Sequence, residues 1–180
     1  ISCSLVGSEM CIRDRYYIGT YGGGMMVLNP QTLSLKYFTQ GDTELFQKGH
    51  IFCVKPDNRG NRWIGTSQGL FCYNGQTKQI KNFTSTNSQL PEGNVYEVSF
   101  DSTGKGWIAT ETGMCIYDPA SQSLRSNVFP EGFVHKDKVR TIYEDAEHNL
   151  YFIREKGSLF TSTLTMDHFR NQSAVSYTHL

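Results

Sequence analysis

The sequence predicts an all-β fold, a partial β-propeller of about 3–4 four-stranded antiparallel blades of ~44 residues, truncated from a larger ring. Three observations predict it. A motif of Asp, Gly, Trp and Thr returns at a fixed interval; short β-branched and aromatic runs alternate with turn residues; and no stretch sustains helical periodicity. Asp57-Asn58-Arg59-Gly60-Asn61-Arg62-Trp63-Ile64-Gly65-Thr66-Ser67-Gln68-Gly69-Leu70 recurs as Asp101-Ser102-Thr103-Gly104-Lys105-Gly106-Trp107-Ile108-Ala109-Thr110-Glu111-Thr112-Gly113-Met114, so Trp63 and Trp107 lie 44 residues apart. A further 44 residues reach Tyr151 in Asp145-Ala146-Glu147-His148-Asn149-Leu150-Tyr151, with Gly157 answering Gly113. Backwards, Tyr17-Ile18-Gly19-Thr20 matches at an offset of 46, and Gly24 takes the place of Gly69.

Each unit reads as short strands in order. Val95–Phe100 is a first strand, rich in residues that suit a pleated surface. Asp101-Ser102-Thr103-Gly104 is a tight turn, because Asp bonds its own backbone and Gly accepts positive φ. Gly106–Thr110 is a second strand, Gly113 marks the next turn, and Met114–Tyr117 is a third strand that ends at Asp118-Pro119. A weaker fourth lies around Ser123–Ser126. The blades are expected near 16–48, 49–92, 93–136 and 137–173, within a propeller segment of 16–173.

The two ends are expected to be foreign. Met10–Asp14 can be encoded ATG TGT ATA AGA GAC, whose reverse complement reads Val-Ser-Tyr-Thr-His, which is Val175–His179. One inverted DNA sequence thus accounts for both termini and resembles a translated sequencing-library adapter. Residues 1–15 and 174–180 are therefore set apart from fold reasoning. A closed ring of seven such blades needs roughly 300 residues, so the segment reads as an arc.

Composition narrows the function. Seventeen Lys+Arg against seventeen Asp+Glu give a formal charge of zero, so no global field draws the chain to nucleic acid or to an anionic membrane. No apolar run approaches a membrane span. Five Cys among 180 residues are too sparse for a disulfide scaffold. Of these, Cys53, Cys72 and Cys115 fall on expected strands as small apolar filler, and their redox state is open.

The pattern of Asp57, Gly60, then Trp63-Ile64-Gly65-Thr66, Gly69-Leu70 and an aromatic strand resembles the two-component regulator propeller repeat. The resemblance covers nearly all of 16–162, and the last blade departs from it: His148 stands for the turn Gly, Tyr151 for the Trp, Arg154 for the Thr. It implies the periplasmic sensor of a membrane-bound hybrid histidine kinase, often tuned to glycan breakdown products, whose parent is a homodimer. It also implies that kinase chemistry lies in other domains, together with the remaining blades.

Residue by residue, structure outweighs chemistry. Trp63 and Trp107 read as packing between blades. Thr66 and Thr110 read as local hydrogen bonders, and Gly24, Gly69 and Gly113 as turn formers. Asp57, Asp101 and Asp145 come one per blade, far from the close oxygens that a calcium loop needs. No zinc spacing, hydrolase elbow or phosphate loop is present, so no catalytic residue, metal or cofactor is expected. The candidate ligand face is the connection entering each first strand. At the 44-residue offset His50, Asn94 and Lys138 are equivalent, as are Phe52, Tyr96 and Arg140. Their side chains change while the frame around them repeats, which suits a sugar or peptide. Non-catalytic sensing of a small extracellular cue is the preferred function, with no nucleic-acid partner and no direct membrane contact. A propeller enzyme of the lyase type and a protein-docking scaffold are the alternatives. An arc leaves strand edges and blade faces uncovered, so the chain made alone is expected to melt gradually in calorimetry; a sharp two-state melt of the monomer would contradict this.

Overall fold

The computed structural model describes residues 4–6, 15–41, 43–126, 138–154, 159–163 and 169–172. Among these described residues sixteen strands form four four-stranded antiparallel sheets, each in chain order. The first holds β1 (Ser4–Val6), β2 (Tyr16–Gly19), β3 (Met25–Asn29) and β4 (Ser34–Tyr37). The second holds β5 (Ile51–Pro56), β6 (Asn61–Thr66), β7 (Gly69–Asn74) and β8 (Ile80–Phe83). The third holds β9 (Val95–Phe100), β10 (Gly106–Thr110), β11 (Gly113–Asp118) and β12 (Ser123–Arg125). The fourth holds β13 (Val139–Glu144), β14 (Asn149–Arg154), β15 (Leu159–Thr163) and β16 (Phe169–Gln172). First strands pack on first strands, β1 on β5, β5 on β9 and β9 on β13. The sheets therefore radiate from a common inner edge as propeller blades.

Three apolar layers fill the gaps between consecutive blades. Met25, Phe38, Ile51, Val54, Ile64 and Phe71 lie between the first two. Trp63, Val95, Ile108 and Cys115 lie between the second and third, where Trp63 meets Phe83 at 5.7 Å and Tyr117 at 4.4 Å between ring centres. Trp107, Met114, Ile142, Leu150 and Phe152 lie between the third and fourth. Burial in these layers pushes the Cys53 and Cys72 thiols up to about 12 and the Cys115 thiol higher still. All three are free thiols, protonated and poorly nucleophilic at neutral pH.

The repeated Asp and Trp are bonded to each other. In the β5–β6 turn, Oδ1 of Asp57 accepts the backbone N–H of Arg59 and Asn61, while Oδ2 accepts the Trp63 indole N–H at 3.0 Å. Asp101 repeats this with Thr103, Lys105 and the Trp107 indole at 2.7 Å. In the fourth blade Asp145 takes Glu147, Asn149 and the Tyr151 hydroxyl, at 2.9 Å. The Asn149 amide leads the bonds that hold the Asp145 carboxyl below its ordinary value. The departure at the turn is also accommodated. His148 adopts φ +65°, where Gly60 and Gly104 have +81° and +82°. Its Nδ1 lies 2.6 Å from Glu144, whose other oxygen accepts the Ser102 N–H across the blade boundary.

Two features differ from expectation. A helix, α1 (Thr43–Lys48), connects the first two blades. It spans fewer than two turns, too short for a periodic signal, and is held by burying Leu45 and Phe46 in the inter-blade layer. The first blade also gains β1, from the segment assigned to the adapter. Backbone ladders form irrespective of side chain, so this pairing carries no information on the origin of that segment. Gly157 lies outside the described residues.

Asp101→Ala strands the fully buried Trp107 indole N–H and the turn amides. A lower urea midpoint is expected, since the bond and its stranded donor are together worth about 3 kcal/mol locally. An unchanged midpoint in tryptophan fluorescence would remove the bond from the account.

Candidate functional site

The site begins with a repeated irregularity in strand pairing. In the second blade Ile51 sits opposite Thr66 and Cys53 opposite Gly65, so Phe52 is an extra residue without a cross-strand partner. In the third, Val95 faces Thr110 and Glu97 faces Ala109, which leaves Tyr96 extra. In the fourth, Val139 faces Arg154 and Thr141 faces Ile153, which leaves Arg140 extra. A β-bulge of this kind re-aims its extra side chain and bends the strand. Three successive inner strands thus bulge at one register and place Phe52, Tyr96 and Arg140 on the same face.

The neighbouring turn braces the bulges of the second and third blades. Thr66 and Thr110 are fully buried, and their hydroxyls donate to the carbonyls of Gly69 and Gly113 at 2.8 and 2.9 Å. Gly65 is small by necessity, since a Cβ there would lie 2.7 Å from both Cys53 Sγ and the Val95 carbonyl.

Contacts join the six candidate residues into one strip across the blades. His50 and Phe52 stack at 6.4 Å between ring centres, and Phe52 meets Tyr96 edge-on at 5.0 Å. Asn94 donates from Nδ2 to the Tyr96 hydroxyl at 3.1 Å. The Arg140 guanidinium and the Lys138 ammonium lie over the Tyr96 ring at 4.6 and 5.0 Å. Tyr96 is 9% exposed, so it serves as the shared floor of the strip, while Arg140 is open to solvent.

Two members were not anticipated. Tyr21, 66% exposed, lies against His50 at 4.1 Å and near Phe52 at 6.1 Å. Glu111 accepts the Asn94 N–H through Oε2 at 3.3 Å and returns a bond from its own N–H to the Asn94 carbonyl. Both sit in the turn between second and third strands. A sequence signal existed for Tyr21: Thr20 to Gly24 spans one residue more than Thr66 to Gly69 or Thr110 to Gly113. That longer hairpin is locked by α1. Gly24, at φ +72°, donates to the Gly49 carbonyl, and a Cβ on it would collide with the Phe46 carbonyl of the helix. The Ile51 N–H then donates to Thr20 O at 2.9 Å, seating Tyr21 beside His50, whose buried Nδ1 has no hydrogen-bond partner.

Two hollows lie away from the strip. One of about 520 Å³ runs between β8 and β12 over Lys81, Asn82, Gln89, Gln122 and Arg125; another of about 370 Å³ borders Tyr17, Tyr37 and Tyr73. Among the described residues no three His, Cys, Asp or Glu gather as a metal site, and no helix is long and apolar enough to cross a membrane.

No family model and no curated protein matches the chain. Solved structures do. Two of the extracellular domain of BT4673 from B. thetaiotaomicron, described once as a one-component and once as a hybrid two-component system, align over 94% and 96% of this chain. They do so at 20% and 19% identity with TM-scores of 0.76 and 0.77. The extracellular domain of the hybrid two-component system BT3049 from the same organism aligns over 82%, at 26% identity and TM-score 0.63. The chain spans about a fifth of each: 22%, 22% and 19%. The fold is therefore shared with extracellular domains of bacterial signalling proteins.

Gly24→Ala is expected to part α1 from the hairpin and to abolish the nuclear Overhauser effects between Tyr21 and His50, at a strain of about 1–3 kcal/mol. Retention of those signals would show that the hairpin is held some other way.

Proposed function

We propose that this chain is a non-catalytic, ligand-sensing part of a periplasmic propeller that belongs to a membrane-bound hybrid histidine kinase. In this reading it recognises an extracellular carbohydrate or similar small cue on the strip from Tyr21 to Arg140. The remaining blades and the signalling domains belong to the same parent, which acts as a homodimer. The observation that carries the reading is the bulge repeated in β5, β9 and β13, which brings Phe52, Tyr96 and Arg140 onto one face. The extracellular hybrid two-component domain of 26% identity supports the sensing context. Aromatic rings beside amide, imidazole and charged groups suit a ring with one apolar face and several hydroxyls.

The strip draws on residues from adjacent blades, so a ligand that bridges Phe52 and Arg140 favours one inter-blade spacing over others. A population shift of that kind needs nothing beyond differential affinity for the two spacings.

Chemical-shift mapping tests the site, with short neutral and acidic oligosaccharides as probes. Perturbations are expected at residues 21, 50–52, 94–96 and 138–140. Phe52→Ala and the exposed Tyr21→Ser are each expected to weaken binding about tenfold, some 1.4 kcal/mol. Perturbations confined to the groove of Lys81 and Arg125, or none at all, would overturn it.

A further inference from the structure

The boundary between the first two blades carries chemistry that the next boundary lacks. On the first blade Tyr17, Val27 and Lys36 stand opposite one another across β2, β3 and β4, so they share a face of the sheet. On the second, Arg62, Tyr73 and Ile80 do the same across β6, β7 and β8. The Arg62 guanidinium lies 5.5 Å from the Tyr17 ring centre, which sets the two faces against each other. The hollow of about 370 Å³ opens beside them, lined by Tyr17, Lys36, Tyr73 and Lys78. At the next boundary the 44-residue offset puts Gly106 in the place of Arg62 and Gln122 in that of Lys78.

We propose that this hollow binds a small molecule bearing a tetrahedral oxyanion, a phosphate or a sulfate group, held by Arg62 and Lys78 with the Tyr17 and Tyr73 hydroxyls. The site is separate from the strip and does not depend on the sensing role. Three observations carry it. Tyr73 is only 4% exposed yet lines the hollow, and among the described residues neither its hydroxyl nor that of Tyr17 has a hydrogen-bond partner. A buried O–H without an acceptor is costly, and an oxyanion supplies the acceptor. The charge around the hollow also has one sign. No described residue that lines it is Asp or Glu, and the exposed Lys36 adds a cation on the outermost strand β4. Among the described residues Arg62 and Lys78 donate only to neutral backbone carbonyls, those of Gly60 and Asn61 for Arg62 and that of Gly75, at 2.7 Å, for Lys78. Burial pushes the Tyr17 and Tyr73 phenols above their ordinary value, and the charged side chains that pull them back are Arg62 and Arg15 for both, with Lys78 for Tyr17. Lastly, the donors come from two facing sheets rather than from one plane, which suits oxygens that point in several directions. Arg15 belongs to the segment expected to be foreign, so no part of the site is assigned to it.

Titration of the full chain, followed by nuclear magnetic resonance at constant ionic strength, tests this with inorganic phosphate, inorganic sulfate, glucose 6-phosphate and uncharged glucose. Saturable shifts at residues 17, 36, 62, 73 and 78 are expected with the anions and not with glucose. A preference for phosphate or for sulfate supports the site equally and names the anion. The dissociation constant is expected to rise about tenfold in Lys78→Gln and in Tyr73→Phe, which keeps the buried ring and removes only the hydroxyl. Binding is expected to survive Arg15→Ala. Shifts that never saturate and spread over exposed Lys and Arg along the whole chain would mean an adventitious ion only, and would overturn the site. An affinity unchanged by both Tyr73→Phe and Lys78→Gln, lost only in Arg15→Ala, or matched by glucose would overturn it as well.

Discussion

One carboxylate in each of three successive blades ties this fold together. Each repeated Asp divides its oxygens between two tasks. Oδ1 collects the backbone N–H groups of the turn, and Oδ2 receives the polar hydrogen of an aromatic six residues later. That aromatic in the second and third blades is fully buried between neighbouring sheets. A single bond therefore couples turn closure, the register of first and second strands, and the side chain that spaces one blade from the next. In an interior of low dielectric such a bond is stronger than in water, and its absence leaves a buried donor without its carboxylate. The fourth blade shows which part of the arrangement is constrained. Tyr replaces Trp and His replaces the turn glycine, yet Asp145 makes the same set of bonds.

The candidate face follows from that register. With the turn fixed at one end of β5, β9 and β13 and the buried Thr bond near the other end of two of them, the extra residue is confined to the entry of the strand. The bulge is backbone geometry, so it recurs whatever side chain it carries. Phe52, Tyr96 and Arg140 share a position and differ in chemistry, which is how a repeated scaffold makes a graded surface. The first blade contributes by another route: a longer hairpin, clamped by α1 through Gly24, extends the strip with Tyr21.

Much of this was legible in the sequence. The period of 44 residues located the blades, and the strands β9 and β10 coincide with the runs that composition marks out at Val95–Phe100 and Gly106–Thr110. The six candidate residues were legible as equivalent positions with changing side chains, and the structure brings all six into one contact chain. Three things were not. Helix α1 is too short to impose a period and is stabilised by tertiary burial of Leu45 and Phe46. The bond between Asp101 and Trp107 joins two residues whose roles read separately as turn former and packing group. Tyr21 lies in an insertion, where a search for matching positions has nothing to match.

The most direct test of the Asp–aromatic bond is hydrogen exchange at the indole Nε1–H of Trp63 and Trp107, followed by nuclear magnetic resonance. A proton buried and bonded to carboxylate exchanges only when the blade opens, so both signals are expected to be protected about a hundredfold or more relative to free indole. Exchange at the free rate, with the amide of Ile108 in the middle of β10 still protected, would show that the blades hold their register without that bond.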